Sequence, residues 1–75
     1  MEVNVKLFAT LRDGRFKEEK ASVQENIQVK DVINKYNIPS EEVKICLVNG
    51  RDAEFNQSLK NGDTLSLFPP VGGGR

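Results

Sequence analysis

The sequence contains no histidine and only one cysteine, Cys46. Without histidine there is no imidazole to bind a metal or to act as a general base near neutral pH. A single cysteine excludes an intramolecular disulfide, so the fold must be held by packing. We expect Cys46 to be structural, because no histidine is present to activate it as a catalytic thiol.

A charge excess of either sign is also missing, since 11 basic residues are balanced by 11 acidic ones. No strong field therefore exists for holding nucleic acid or an anionic membrane, and we expect neither as a partner. No apolar run approaches the roughly 20 residues of a membrane span. The N-terminal residues 1–4 do not resemble a signal peptide, and we expect a cytoplasmic protein.

The first part of the chain has the pattern of a β-hairpin. Its 75 residues allow one domain with one core. Val3, Val5 and Leu7 alternate with polar residues, which predicts a strand with one buried face. Turn-forming residues at 10–14 precede an extended stretch at 15–23, which we expect to pair with the first strand. The mixed charges of that stretch indicate a solvated strand face.

One helix is predicted near the middle of the chain. Val29, Val32, Ile33 and Tyr36 follow the spacing i, i+3, i+4 and i+7, which places them on one helical face. Pro39 is expected to stop this helix, since proline lacks the backbone donor that a helix interior needs.

The second part of the chain predicts further strands. Val43, Ile45 and Leu47 alternate, and Asn49-Gly50 is typical of a type I′ turn in which both residues need positive φ. A last strand is expected at about 64–68.

The predicted order is therefore ββαββ, with a short extra strand near 51–55 left open. Leu65 and Leu67 of the last strand are expected to face the core. Two hairpins flanking one amphipathic helix favour an α+β fold, in which the helix covers one face of a mixed four- or five-stranded sheet. This is the β-grasp, or ubiquitin-like, arrangement. We expect the domain to span 1–69 and a flexible glycine tail to span 70–75.

The tail has an unusual composition, with Pro69-Pro70 followed by Val71, three glycines and Arg75. The prolines cannot donate hydrogen bonds to a sheet, so they end strand pairing. The glycines leave the end of the chain mobile and without side-chain bulk. Fully extended, residues 71–74 would reach roughly 13 Å at about 3.3 Å per residue, enough to carry a carboxyl group into a narrow channel. By composition alone, a frayed end without function is the alternative.

Four segments resemble the MoaD family, the small subunit of molybdopterin synthase within the MoaD/ThiS ubiquitin-like sulfur carriers. They are Val5-Lys6-Leu7-Phe8-Ala9-Thr10-Leu11-Arg12, Val48-Asn49-Gly50, Asn61-Gly62-Asp63 and Leu67-Phe68-Pro69-Pro70-Val71. Together with the glycine tail they cover nearly the whole chain. ThiS carriers of thiazole synthesis share this fold but usually lack a Pro-Pro pair between the last strand and the glycine tail.

The resemblance implies a carrier that leaves catalysis to its partners. In the family, an E1-like enzyme adenylates the terminal glycine with ATP and Mg²⁺, sulfur then replaces AMP, and the large synthase subunit uses the resulting thiocarboxylate. The carrier itself binds no cofactor. Gly73 and Gly74 match the terminal pair, so Gly74 would bear the thiocarboxylate. Arg75 departs from the family, because an amide-bonded Gly74 has no free carboxylate, and a peptidase that removes Arg75 is an expected further partner.

The resemblance also implies where the partners dock. Phe8 and Phe68 have the strand phase opposite to the core residues, which predicts that both point away from the helix. In the family, outward aromatics at both positions contact partners. The family usually has another apolar contact where this chain has Asp52. The expected partner-binding residues are Phe8, Arg12, Phe68, Pro69, Pro70, Val71 and Gly72.

Two other functions share the activation step. One is a protein modifier whose glycine tail is conjugated to lysines after trimming, and the other is a ThiS-type carrier for another sulfur pathway. An independent enzyme is the class that the sequence supports least.

Overall fold

Five strands and one helix form the part of the chain that the computed structural model describes, residues 1–70. Most of the predicted tail, residues 71–75, lies outside the described residues. The elements are β1 (Glu2–Leu7), β2 (Glu18–Ser22), α1 (Val29–Lys35), β3 (Ile45–Val48), β4 (Arg51–Asp52) and β5 (Thr64–Phe68), with short 3₁₀ turns at Ala9–Arg12 and Ser40–Glu42.

The strands form one mixed sheet in the order β2-β1-β5-β3-β4. β1 and β5 are parallel neighbours at its centre, while the β1–β2, β3–β5 and β3–β4 pairs are antiparallel. The predicted β-grasp arrangement is therefore confirmed. The short extra strand is also present, as the two residues of β4.

One face of the sheet and one face of α1 are buried together in a single apolar core. The helix contributes Val29, Val32 and Ile33, each no more than 1% exposed, as its spacing predicted. Tyr36 is only half-buried at the edge of this core. The remaining buried residues are Val3, Val5, Leu7, Leu11, Ala21, Ile27, Ile38, Val43, Cys46, Val48, Leu59, Leu65 and Leu67.

The helix ends four residues before the proline that was expected to stop it. Asn37 has φ +56°, a left-handed conformation that reverses the chain directly after the helix. Its N–H donates to Asn34 O at 3.0 Å, and the N–H of Ile38 donates to Ile33 O at 3.1 Å. These two bonds form a Schellman motif, so Asn37 rather than Pro39 ends α1.

The buried face of β3 differs from the one suggested by the alternation of Val43, Ile45 and Leu47. Cys46 and Val48 face the core, whereas Ile45 is exposed and Leu47 half-buried on the other face. Val43 is buried in the turn before the strand. All four strand residues are apolar, so periodicity alone could not distinguish the two faces.

The turn after β3 has the predicted geometry, with φ +53° at Asn49 and +83° at Gly50. The Asn49 side chain also joins this turn to the start of β5. Its Nδ2 donates to Asp63 Oδ1 at 2.9 Å, and its Oδ1 accepts the N–H of Thr64 at 2.9 Å. Asp63 Oδ2 accepts the N–H of Lys60 at 2.8 Å. Two of the segments that resemble MoaD are therefore hydrogen-bonded to each other.

Candidate docking site at the base of the tail

Two phenylalanines stack on the face of the sheet that α1 does not cover, called here the outer face. Phe8 follows β1 and Phe68 ends β5, and both rings are half-buried. Their centroids are 4.2 Å apart and their planes differ by 10°. Such a stack contributes about 0.5–1.5 kcal/mol beyond the burial of the rings. The predicted outward orientation of both side chains is present in the structure, and the two rings form one apolar surface, the aromatic pair.

Arg12 is held next to the aromatic pair by the 3₁₀ turn that follows Phe8. Its Nε donates to the carbonyl oxygen of Leu7 at 2.7 Å. Its guanidinium carbon lies 5.5 Å from the centroid of the Phe8 ring, within the range of a cation–π interaction. The chain enters this turn through Ala9, whose φ of +54° is left-handed. The structure therefore brings Arg12 to the predicted site and fixes its orientation.

The chain leaves the sheet beside the aromatic pair. The carbonyl of Phe68 accepts the N–H of Lys44 at 2.8 Å, and the carbonyl of Leu67 accepts the N–H of Phe8 at 3.2 Å. Pro69 is half-buried and Pro70 is exposed. Because neither proline has an N–H to donate, strand pairing ends where the sequence predicted. The remaining predicted site residues, Val71, Gly72, Gly73 and Gly74, lie outside the described residues.

β3 adds two apolar side chains to the outer face that the sequence reasoning did not place there. Ile45 lies opposite Phe68 in the antiparallel pair, and Leu47 lies opposite Ser66. Ile45 is 40% exposed and is the one exposed large apolar side chain within residues 1–70. Leu47 also faces Asp52 of β4. A strand composed only of apolar residues must place some of them outward, and that signal could have identified both.

A shallow cleft of about 120 Å³ lies on the β2 side of Phe8. Besides the Phe8 ring, its lining has three cationic side chains and one carboxylate, from Lys6, Arg12, Lys17 and Glu18. Glu18 also accepts a hydrogen bond from Asn4 Nδ2 at 2.6 Å. The cleft is therefore basic, although the chain as a whole has no net charge.

Two side chains outside this site have raised pKa values. Burial raises the pKa of the Cys46 thiol to about 11, so it remains protonated at neutral pH, as expected for a structural cysteine. Burial, followed by the hydrogen bond to Glu19 and its negative charge, raises the pKa of Tyr36 to about 12. Within residues 1–70, no group of three potential metal-ligating side chains is clustered. No helix there is both long and apolar enough to cross a membrane.

Comparison with known proteins identifies the family. The model of the ThiS family matches residues 5–74, nearly the whole chain. The chain belongs to the ThiS family. It is a ubiquitin-like sulfur carrier of the ThiS/MoaD type, as the four segments of the sequence indicated. No curated protein sequence matches the chain at a significant level.

Solved structures of similar proteins share the fold of this ThiS-family chain. A Pyrococcus furiosus protein described as molybdopterin converting factor, subunit 1, is 32% identical, with a TM-score of 0.76 over 95% of this chain and 99% of its own. SAMP1 from Haloferax volcanii is 25% identical, with a TM-score of 0.76 over 99% of this chain and 100% of its own. A Helicobacter pylori complex of subunits 1 and 2 of molybdopterin-converting factor contains a chain 25% identical, with a TM-score of 0.67 over 99% of this chain and 100% of that one.

Proposed function

We propose that this protein carries sulfur for molybdopterin synthesis, as a thiocarboxylate on Gly74, and acts as the small subunit of a molybdopterin-synthase-like complex. The stacked aromatic pair at the point where the tail leaves the sheet is the observation that carries this proposal. It provides an apolar, rigid docking surface directly next to the segment that would carry the sulfur. Phe8, Arg12, Phe68, Pro69 and Pro70 would contact the partners.

The likeness to other carriers supports the pathway. The family match ends on Gly74 and leaves out Arg75, which agrees with Gly74 as the C-terminal residue that would bear the thiocarboxylate. The protein of P. furiosus and the complex of H. pylori are both described as molybdopterin converting factors. In the second, the similar chain is bound to subunit 2, and a large subunit of that kind is the proposed partner here.

The proposed chemistry requires three partners. A peptidase hydrolyses the Gly74–Arg75 amide and frees the Gly74 carboxylate. An E1-like enzyme then uses ATP and Mg²⁺, and attack of this carboxylate on the α-phosphorus releases pyrophosphate and forms the acyl-adenylate. A sulfide equivalent displaces AMP, which forms the C–S bond and breaks the C–O bond to the phosphate. The large subunit uses the sulfur, so the carrier itself needs no nucleophile or general base.

A protein modifier is the second candidate, favoured by the likeness to SAMP1, a small archaeal modifier protein of H. volcanii. Conjugation would use the same activated Gly74 but end in an isopeptide bond to a lysine. A ThiS-type carrier for another sulfur pathway would differ only in the acceptor. The Pro-Pro pair at 69–70 favours the MoaD type over that alternative.

Intact mass spectrometry of the protein purified from its native cells separates a sulfur carrier of either pathway from a protein modifier. We expect the free chain to end at Gly74, with part of it heavier by the exchange of one oxygen for sulfur. Ladders of high-mass conjugates without any thiocarboxylate would instead establish the modifier.

A further inference from the structure

Two asparagine–glycine pairs lie in exposed turns of the domain. Asn49-Gly50 connects β3 to β4, and Asn61-Gly62 precedes β5. In such a pair the backbone nitrogen of the glycine can attack the side-chain carbonyl carbon of the asparagine, because glycine has no side chain to block the approach. No other asparagine of the sequence is followed by glycine. Spontaneous deamidation is therefore expected at these two turns first.

The turn at Asn61 is tied to β1 through both of the groups that would react. The Gly62 N–H, whose nitrogen is the nucleophile, donates to the carbonyl oxygen of Glu2 at 2.8 Å. The side-chain oxygen of Asn61, Oδ1, accepts the N–H of Glu2 at 2.8 Å. Since β1 is an inner strand of the sheet, the reaction at Asn61 requires the turn to separate from that strand.

At Asn49 the side-chain amide is held, but the nucleophile is not. Nδ2 donates to Asp63 Oδ1 and Oδ1 accepts the N–H of Thr64, each at 2.9 Å. Within residues 1–70, the Gly50 N–H has no hydrogen-bond partner, and no atom lies within 4 Å of the place that a Cβ of Gly50 would take. Rotation of the Asn49 amide therefore exposes it to attack without the separation of any strand.

We infer that Asn49 is a site of spontaneous covalent modification in the folded protein, and that the fold protects Asn61 from the same reaction. The Gly50 nitrogen loses its proton to hydroxide or water and forms a bond to Cγ of Asn49. The bond from Cγ to Nδ2 breaks, and the leaving nitrogen takes up a proton and departs as ammonia. Water then hydrolyses one of the two C–N bonds of the resulting succinimide, which leaves aspartate or isoaspartate at position 49.

The modification would break the contact between the β3–β4 turn and the start of β5. Asp63 accepts hydrogen bonds from Asn49 Nδ2 and from the N–H of Lys60. A carboxylate at position 49 has no hydrogen to donate at neutral pH, and it would face the carboxylate of Asp63 at hydrogen-bond distance, where like charges repel. Neither the tail nor the aromatic pair belongs to this turn, so the inference is independent of the proposed function.

The rates of deamidation at the two turns test the inference directly. The unmodified chain is incubated at mildly alkaline pH, once folded and once unfolded in guanidinium chloride, and samples are digested with trypsin over time. Cleavage after Lys44, Arg51 and Lys60 places Asn49 in peptide 45–51 and Asn61 in peptide 61–75. Mass spectrometry of the two peptides gives the deamidated fraction at each site. Asn61 is the matched control, since it also precedes a glycine.

We expect both asparagines to react at similar rates in the unfolded chain. In the folded chain Asn49 should react roughly ten- to a hundredfold more slowly, because two side-chain hydrogen bonds must open first. Asn61 should react at least about tenfold more slowly than Asn49, because its release requires local opening of the sheet. The inference is overturned if Asn61 reacts as fast as Asn49 in the folded chain. It also fails if folding slows Asn49 more than about a thousandfold, which exceeds the protection that two such hydrogen bonds give.

The consequence for the turn is tested with Asn49→Asp, which imitates one product. Aspartate tolerates the left-handed φ of +53° at this position, so a change in stability reports on the contact with Asp63. We expect the melting temperature to fall by about 4–8 °C. The double variant Asn49→Asp with Asp63→Asn exchanges donor and acceptor and should recover most of this loss. Asn61→Asp keeps an oxygen that accepts the N–H of Glu2 and should melt like the unmodified chain. An unchanged melting temperature for Asn49→Asp, or no recovery in the double variant, would contradict the expected break.

Discussion

Ala9 shows how the backbone around Phe8 is shaped at the cost of local strain. Its φ of +54° is left-handed, which costs a residue with a Cβ roughly 1–2 kcal/mol relative to a right-handed conformation. The turn it begins carries Arg12 back over the Phe8 ring. Nothing in the sequence predicted this conformation, because alanine has no preference for positive φ.

Replacement of Ala9 by glycine should therefore stabilise the protein. Glycine adopts this φ without strain, and we expect Ala9→Gly to raise the free energy of unfolding by about 0.5–1 kcal/mol after its larger chain entropy is counted. A urea melt measures the change. Ala53→Gly, at a residue without positive φ, is the control and should be destabilising. Equal losses in both variants would show that Ala9 is not strained.

Tyr36 should make stability depend on pH at alkaline values. Its pKa is raised from 10.0 to about 12, by burial first and then by the hydrogen bond to Glu19. Between pH 10.0 and about 12, Tyr36 keeps its hydroxyl proton in the folded chain but has lost it in the unfolded chain. The contribution to stability is therefore complete below pH 10 and is lost as the pH rises toward 12.

The variant Tyr36→Phe removes this titration. We expect its free energy of unfolding to fall less steeply than that of the unmodified chain between pH 10 and 12. The pKa of the Cys46 thiol is raised from 9.0 to about 11, and its titration lowers the free energy of unfolding equally in both proteins. Denaturant melts across this range give the two slopes, and parallel curves would show that Tyr36 is not responsible.

At the scale of single elements, an alternating apolar and polar pattern predicted which face of a strand is buried. A segment composed only of apolar residues did not. β1 alternates strictly between polar and apolar residues, and β5 does so as far as Leu67, so their buried faces could be predicted. β3 is apolar at each of its four positions, and only its pairing with β5 decides that Cys46 and Val48 face the core. The helix α1 ends before Pro39, because Asn37 adopts the left-handed conformation that reverses the chain.

The helix provides the sharpest test of the core. Ile33 is 1% exposed and packs between α1 and the sheet. We expect Ile33→Ala to lower the free energy of unfolding by about 2–5 kcal/mol, since it removes buried methyl groups and leaves a cavity. The exposed neighbour Asn34→Ala should change it by no more than about 0.5 kcal/mol. A urea melt without loss for Ile33→Ala would remove this residue from the core.

At the scale of the whole molecule, the sequence located the candidate site but not its extent. The alternation of residues within each strand was enough to predict that Phe8 and Phe68 point outward. Their stacking depends on the parallel pairing of β1 with β5, two strands more than fifty residues apart in the chain. The basic cleft depends in addition on β2, so neither feature is visible in any one segment.

The central claim is that a rigid domain presents a glycine tail whose freed Gly74 carboxylate carries the sulfur. It is tested most directly by incubating two chains, one ending at Gly74 and one retaining Arg75, with the E1-like enzyme, ATP, Mg²⁺ and a sulfur donor. Intact mass spectrometry then reads the product. The account predicts a thiocarboxylate on the chain that ends at Gly74 and none on the other. A thiocarboxylate formed equally well on the chain that retains Arg75 would contradict it.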